Sequence, residues 1–272
     1  MPMIKTGIVC GCLPNQAGLL QSELYHQLLA EEIHETMGLR LVISSIWYTT
    51  LAESNARVSE LIAQEKPEII LYHVRPDPFL RISKPVIRYR DRSDQLQVKL
   101  NLNADDHFIL EKIYPERGSR AVRSRSLWKS VNRNVHYLCG FLLGVHHRAV
   151  EHEKKKLHEM ATVCARNDVA LILIGPASRP RSFMENFFLN RLEKKLRIEF
   201  KNESFRYVSC FGTRGLKNEP LFMEDGIHVS KAGHLRLACL IAPVMKEVLS
   251  KKSRNEQPKM TQNEWVAEGA FS

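Results

Sequence analysis

The sequence predicts an α/β protein built on a parallel sheet. Short β-rich apolar runs alternate with amphipathic helical segments along most of the chain, and the runs stop at glycine or proline. Strands separated by helices of that length imply crossover connections and a parallel sheet covered on both faces. At 272 residues the chain can bury a sizeable core, and 44% hydrophobic with 26% charged residues is ordinary for a globular domain.

The elements follow in order. Residues 4–10 form an apolar run ending at Gly11, read as a buried strand. Leu20, Leu24, Leu28 and Ile33 recur at near-helical spacing, which predicts a helix over 19–37 with Gly38 as its cap. Residues 39–47, rich in β-branched and aromatic side chains, give a second strand. A helix over 54–64 stops before Pro67, and 68–74 is a third strand ended by Arg75-Pro76. After a long irregular and helical stretch, 169–174 is a fourth strand ended by Gly175-Pro176. A helix over 182–201 and a fifth strand over 205–211 follow. Residues 230–249 form the closing helix, with Ser230 as N-cap and Leu235, Cys239, Ala242 and Met245 facing inward. Pro243 should kink that helix or break it.

Composition narrows the function classes. The longest apolar candidate, residues 135–145, is interrupted by His136 and two glycines. It falls short of the roughly 18 residues a membrane span needs and reads as a buried helix segment. The N-terminus lacks a basic leader and a cleavage site, which favours the cytoplasm. Six cysteines without metal-like paired spacing read as reduced and mostly buried; Cys10 and Cys12 form only a C-x-C.

The net charge of +10 is concentrated. Arg117, Arg120, Arg123, Arg125, Lys129 and Arg133 occur without an intervening acid, and Arg81, Lys84, Arg88, Arg90 and Arg92 are broken only by Asp91. A solvated surface ranks first, and an anionic substrate or lipid headgroup second. Nucleic acid ranks last, because no recognised binding motif accompanies these residues, although Trp128 could stack on a base.

In open parallel sheets the functional groups gather beyond the carboxyl ends of the strands. The clearest local signal is the stretch 224–234, in which Asp225 precedes His228 by three residues on a loop leading into the last helix. That spacing lets the carboxylate accept the imidazole Nδ1–H and leaves Nε2 as a general base. An isolated D-x-x-H is common, and its bland reading is a helix-preceding Asp beside an ordinary loop histidine.

The context D-G-I-H-x-S-x-x-G-H before an amphipathic helix resembles the last motif block of the SGNH/GDSL hydrolases. The resemblance spans about residues 4–249. It implies a flavodoxin-like three-layer α/β/α sandwich with a five-stranded parallel sheet. It also implies hydrolysis or transfer of an ester-linked acyl group without metal or cofactor, with Asp225 and His228 completing the catalytic set. Three departures stand beside it. The Gly-Asp-Ser block is here Gly11-Cys12-Leu13, so a gap-free reading puts Leu13 at the nucleophile, while a shifted turn would use Cys12 as a thiolate. No glycine occurs over 39–62 to offer an oxyanion donor. The Gly-x-Asn-Asp block is Val74-Arg75-Pro76-Asp77, and Pro76 has no N–H.

Arg75 compensates by stabilising an oxyanion or an acid, or else pairs with Asp77 or faces solvent. The expected organisation is one domain over 1–249, with 78–150 as a basic insertion or lid whose arginines favour a negatively charged small-molecule or acylated substrate. A polar tail over 250–272 is expected to be disordered. Three functions compete: an esterase using Gly11, Cys12, Arg75, Asp77, Asp225 and His228; a catalytically inactive binding protein of the same fold; and a basic module for anionic ligands.

Overall fold

The computed structural model describes residues 1–11, 13, 18–48, 51–90, 96–100, 127–179, 183–200, 206–210, 221–224, 226 and 228–256. Its main sheet holds β1 (Met3–Cys10), β2 (Arg40–Trp47), β3 (Ile69–His73), β6 (Ala170–Ile174) and β7 (Arg206–Val208). The strands are parallel, in the order β2-β1-β3-β6-β7. Counting only these five strands, the order is 2-1-3-4-5, the flavodoxin-like arrangement. The chain leaves β1 for β2 on one side and then returns to β3 on the other. The crevice between the carboxyl ends of β1 and β3 is therefore the topological switch point, where a ligand site is expected.

Alternation along each strand builds two core layers. Ile8, Leu71 and Ile172 face α1 (Tyr25–Met37) and α7 (Lys231–Glu256) through Leu29, Ile33, Ile241 and Met245. Val9, Ile70 and Leu173 face α2 (Leu51–Glu65), α5 (Val145–Arg166) and α6 (Phe183–Glu199) through Val58, Leu157, Met160 and Phe188. Three layers result. Gly38, in the left-handed region at φ 65°, caps α1 as its position predicts.

Within 78–150 the chain forms most of α3 (Pro76–Ile82), the antiparallel hairpin of β4 (Val86–Arg90) and β5 (Leu96–Leu100), and α4 (Leu127–Leu142). Phe79, Leu80, Ile82 and Tyr137 enter the core against α5 and α6. Arg92, residues 117–125 and Trp265 lie outside the described residues.

Some expectations require correction. Residues 135–145 are not a buried helix segment. α4 stops at Leu142, Gly144 adopts φ 69°, and Val135, Leu138 and Leu142 are exposed. The helix docks through Tyr137 and through Gly140, which lies against the Ser83 carbonyl, so its apolar stripe turns outward. α7 runs unbroken through Pro243 and reaches Glu256, so residues 250–256 are helical. The carbonyl that Pro243 leaves without its helical donor belongs to the exposed Cys239, where water can replace the lost bond. The inner face of α7 is Leu237, Ile241, Met245 and Leu249; Leu235 is 54% exposed and Cys239 is exposed. Among the described cysteines, Cys10 and Cys164 are buried, Cys210 is half-buried, and Cys139 and Cys239 are exposed, all as free thiols.

Candidate active site

The loop carrying His228 is a tight hairpin. Phe222 and Val229 form an antiparallel bridge, the Met223 N–H donates to the His228 carbonyl at 2.8 Å, and Ser230 N–H donates to the Leu221 carbonyl at 3.0 Å. Gly226, at φ 66°, turns the chain, its N–H bonded to the Met223 carbonyl at 2.9 Å. Ser230 then caps α7, its Oγ accepting the Gly233 N–H at 3.2 Å. Backbone bonding and the helix start thus hold His228 from both sides.

That hairpin meets the strand ends at a cavity of about 110 Å³. Gly11 and Leu13 beyond β1, His73 to Asp77 at the end of β3, Gly175 and Ala177 to Arg179 beyond β6 and Cys210 beyond β7 supply other walls. Four of the residues singled out from the sequence, His228, Gly11, Arg75 and Asp77, therefore line one cavity. Cys12 and Asp225 lie outside the described residues.

Arg75 lies across the tip of β1. A Cβ on Gly11 would stand 2.8 Å from its Nε and 2.9 Å from its Cζ, so glycine is what allows the approach. Nη1 of Arg75 donates to the Tyr48 carbonyl, and its Cζ is 5.3 Å from the centre of the Tyr48 ring. The Tyr48 hydroxyl accepts the Arg75 N–H at 3.2 Å and donates to the His73 carbonyl at 2.7 Å. Burial pushes that phenol well above its ordinary range, so it stays protonated and can donate.

Asp77 pairs with Arg179 at 2.5 Å, not with Arg75. Burial pushes the Asp77 carboxyl up, yet Arg179, then Arg75 and Arg81, together hold it below its ordinary value. Arg75 is already committed to the Tyr48 carbonyl, which leaves Asp77 to Arg179.

His73 is buried with its Nε2 2.8 Å from the Tyr25 hydroxyl. Burial, helped by His234, lowers its pKa to about 3. His234 accepts the Tyr25 N–H on Nδ1 at 3.1 Å, and burial followed by His26 brings it to about 4. Both imidazoles are neutral at pH 7 and tie β3 and α7 to the start of α1.

Sequence reasoning missed Arg179, Ser178, His73 and Cys210 as cavity residues. Ser178 and Arg179 follow the Gly175-Pro176 strand end, a place already expected to be functional, but no motif marks them. Among the described residues, Ser178 and Cys210 are the hydroxyl and thiol that line the cavity. Cys10 is buried, and its Sγ donates to the Gly11 carbonyl at 3.3 Å. No group of three or more His, Cys, Asp or Glu is placed to hold a metal ion, and no helix is long and apolar enough to cross a membrane, among the described residues.

No family model matches the sequence, and no curated relative matches it. Solved structures do match. A lipase, Lip_vut3, from a goat rumen metagenome superposes with a TM-score of 0.57 at 11% identity, covering 88% of this chain and 96% of that one. A variant of Axe2, an acetyl-xylooligosaccharide esterase from Geobacillus stearothermophilus, gives 0.54 at 13% identity, covering 88% and 93%. The fold is that of the SGNH hydrolases. In this SGNH-type fold Gly11 and Leu13 beyond β1, the end of β3, and Phe222, His228 and Val229 line one cavity, with Leu13 where a gap-free reading puts the nucleophile.

Proposed function

We propose that the chain is an ester hydrolase acting on short acyl groups. The observation that carries the reading is that His228, on its braced hairpin, shares a small cavity with the β1 tip and with the Arg75 guanidinium crossing it. His228 acts as the general base and Asp225 orients its imidazole. The Cys12 thiol, next in the chain to Gly11, loses its proton to His228 and attacks the ester carbonyl. Arg75, fixed by the Tyr48 carbonyl, stabilises the oxyanion in place of backbone donors. His228 returns the proton to the leaving alcohol, and water attacks the resulting thioester with His228 again as base.

The solved lipase and esterases of the same fold support the coarse part of this reading. Segment 78–150, which begins beside the cavity-lining Asp77, is the proposed substrate-docking insertion. The test is p-nitrophenyl acetate hydrolysis by wild type, His228→Ala and Cys12→Ala. Losses of at least a hundredfold in both variants are expected, and equal rates in all three proteins would remove the catalytic reading.

Leu13 favours a second reading, in which the cavity binds a ligand without turning it over. A ligand that protects the wild type thermally but is recovered chemically unchanged would support it.

A further inference from the structure

Arg179 is built into the cavity wall with unusual firmness. Its N–H donates to Asn186 Oδ1 at 2.7 Å, and its carbonyl accepts from Asn186 Nδ2 at 2.7 Å. Asn186 is itself buried, and the Arg179 side chain is only 13% exposed. Much of the surrounding wall is apolar, from Leu13, Ala177, Phe222 and Val229.

Among the described residues, the lining includes two arginines, Arg75 and Arg179, and one carboxylate, Asp77. Arg81, on the same short helix as Asp77, adds a third positive charge acting on both arginines and on Asp77. Glu185 also acts on Arg179, but it lies outside the lining, within 3.3 Å of the Tyr137 hydroxyl that donates to it. Among the described lining residues positive charge is therefore in excess, and the largely buried Arg179 guanidinium favours an anion beside it. Asp77 is 43% exposed and Arg179 is not. Of the two partners, Asp77 is the one that can turn to water while Arg179 stays in place.

We propose that Arg179 anchors an acid group of the ligand, with Asp77 as the counter-ion that the ligand displaces, so that the substrates are short esters bearing an oxyanion. The word "ester" rests on the hydrolase reading above, whereas the anion site rests on the Arg179 geometry. A cavity of about 110 Å³ has room for a small acid group beside a short acyl chain.

The test is calorimetric titration of the full chain with succinate and with inorganic phosphate, the two arms separating a carboxylate from a phosphate group. At least one is expected to bind the wild type. Asp77→Asn frees Arg179 and is expected to tighten binding at least threefold, whereas loss of a merely structural ion pair would not improve affinity. Arg179→Gln is expected to weaken binding at least tenfold. The double variant Asp77→Asn/Arg179→Gln, which leaves no unpaired carboxylate, should lose it equally if Arg179→Gln alone fails to fold. Absence of binding by both acids, or unchanged affinity in Asp77→Asn and the double variant, would overturn the proposal. Parallel assays with p-nitrophenyl acetate and mono-p-nitrophenyl succinate separate the two claims. Acid binding without cleavage of either ester removes the hydrolase reading alone; cleavage of the acetyl ester without acid binding removes the Arg179 assignment alone.

Discussion

Arg75 and Gly11 meet across the switch point: the guanidinium occupies the space that a side chain on residue 11 would fill, with Nε 2.8 Å from the ideal Cβ position. Gly11→Ala is therefore expected to push Arg75 off the β1 tip without disturbing the buried strand behind it. Removal of one oxyanion donor typically slows acyl transfer by about 10²–10³. A kcat loss of at least tenfold with p-nitrophenyl acetate, at near-constant KM and near-constant melting temperature, is the expected result. Arg75→Lys should not restore the rate, because a lysine cannot both stack on Tyr48 and bond its carbonyl in a fixed plane. Wild-type kcat in Gly11→Ala would remove Arg75 from the chemistry.

Buried histidines set the response to acid. Burial brings His73 and His146 to about 3 and His234 to about 4, each below the ordinary imidazole value of 6.5. The unfolded chain takes up these protons below about pH 6.5 while the folded chain does not, so stability is present above that pH and is lost as pH falls toward the folded values. Between pH 7 and 5 each such histidine removes roughly 2 kcal/mol. His146 is the cleanest probe, since both ring nitrogens are buried without a hydrogen-bond partner and the ring packs 4.1 Å from Phe188. His146→Leu is expected to raise the melting temperature at pH 5 by more than at pH 7.5. An equal shift at both pH values would show that His146 is not held neutral.

Glu153 works in the opposite sense. It is buried on α5 with Oε2 lacking a hydrogen-bond partner, and burial raises its carboxyl to about 8. The unfolded chain releases this proton above about pH 4.5 while the folded chain keeps it, so the contribution present at low pH is lost as pH rises toward 8. Glu153→Gln is expected to stabilise the protein by about 2 kcal/mol at pH 7 and to flatten the alkaline side of the stability profile. With the histidines dominating below pH 6.5 and Glu153 above it, the wild-type maximum should fall near neutrality in a denaturant titration series. A melting temperature that climbs steadily from pH 6.5 to pH 9 would contradict the Glu153 assignment, and one that does not fall between pH 6.5 and 5 would contradict the histidine assignments.

The order of elements was legible because burial on both faces leaves β1, β3 and β6 as continuous apolar runs, and the helices between them carry a 3.6-residue period. Gly11, Arg75, Asp77 and His228 were legible because strand ends and one short motif mark them. Arg179 was not. Its placement comes from Asn186 seven residues later and from Asp77 beyond the neighbouring strand, neither of which leaves a local signature. The stripe of α4 was misread for a related reason: its hydrophobic residues are real, but docking through Gly140 decides which face is buried. Likewise, Leu235 and Cys239 fit a helical period on α7, yet the buried stripe follows Leu237, Ile241 and Met245. Periodicity gives the spacing of a face and leaves its rotation to the partner.

On the proposed hydrolase reading, cavity size is expected to set acyl selectivity. About 110 Å³, walled by Leu13, Phe222 and Val229 with Arg75 and Arg179 at its polar side, leaves little length for an extended chain. Larger ligands generally occupy pockets of roughly 300–1,000 Å³. Each methylene that cannot enter forgoes about 0.8 kcal/mol of burial, and those forced in also displace packed side chains. Across p-nitrophenyl esters, kcat/KM is therefore expected to be highest for acetate or propionate and to fall at least a hundredfold by octanoate. Leu13→Ala should move the optimum toward longer acyl groups by enlarging the wall at the β1 tip. A wild-type preference for octanoate would mean that the acyl group binds elsewhere than beside His228.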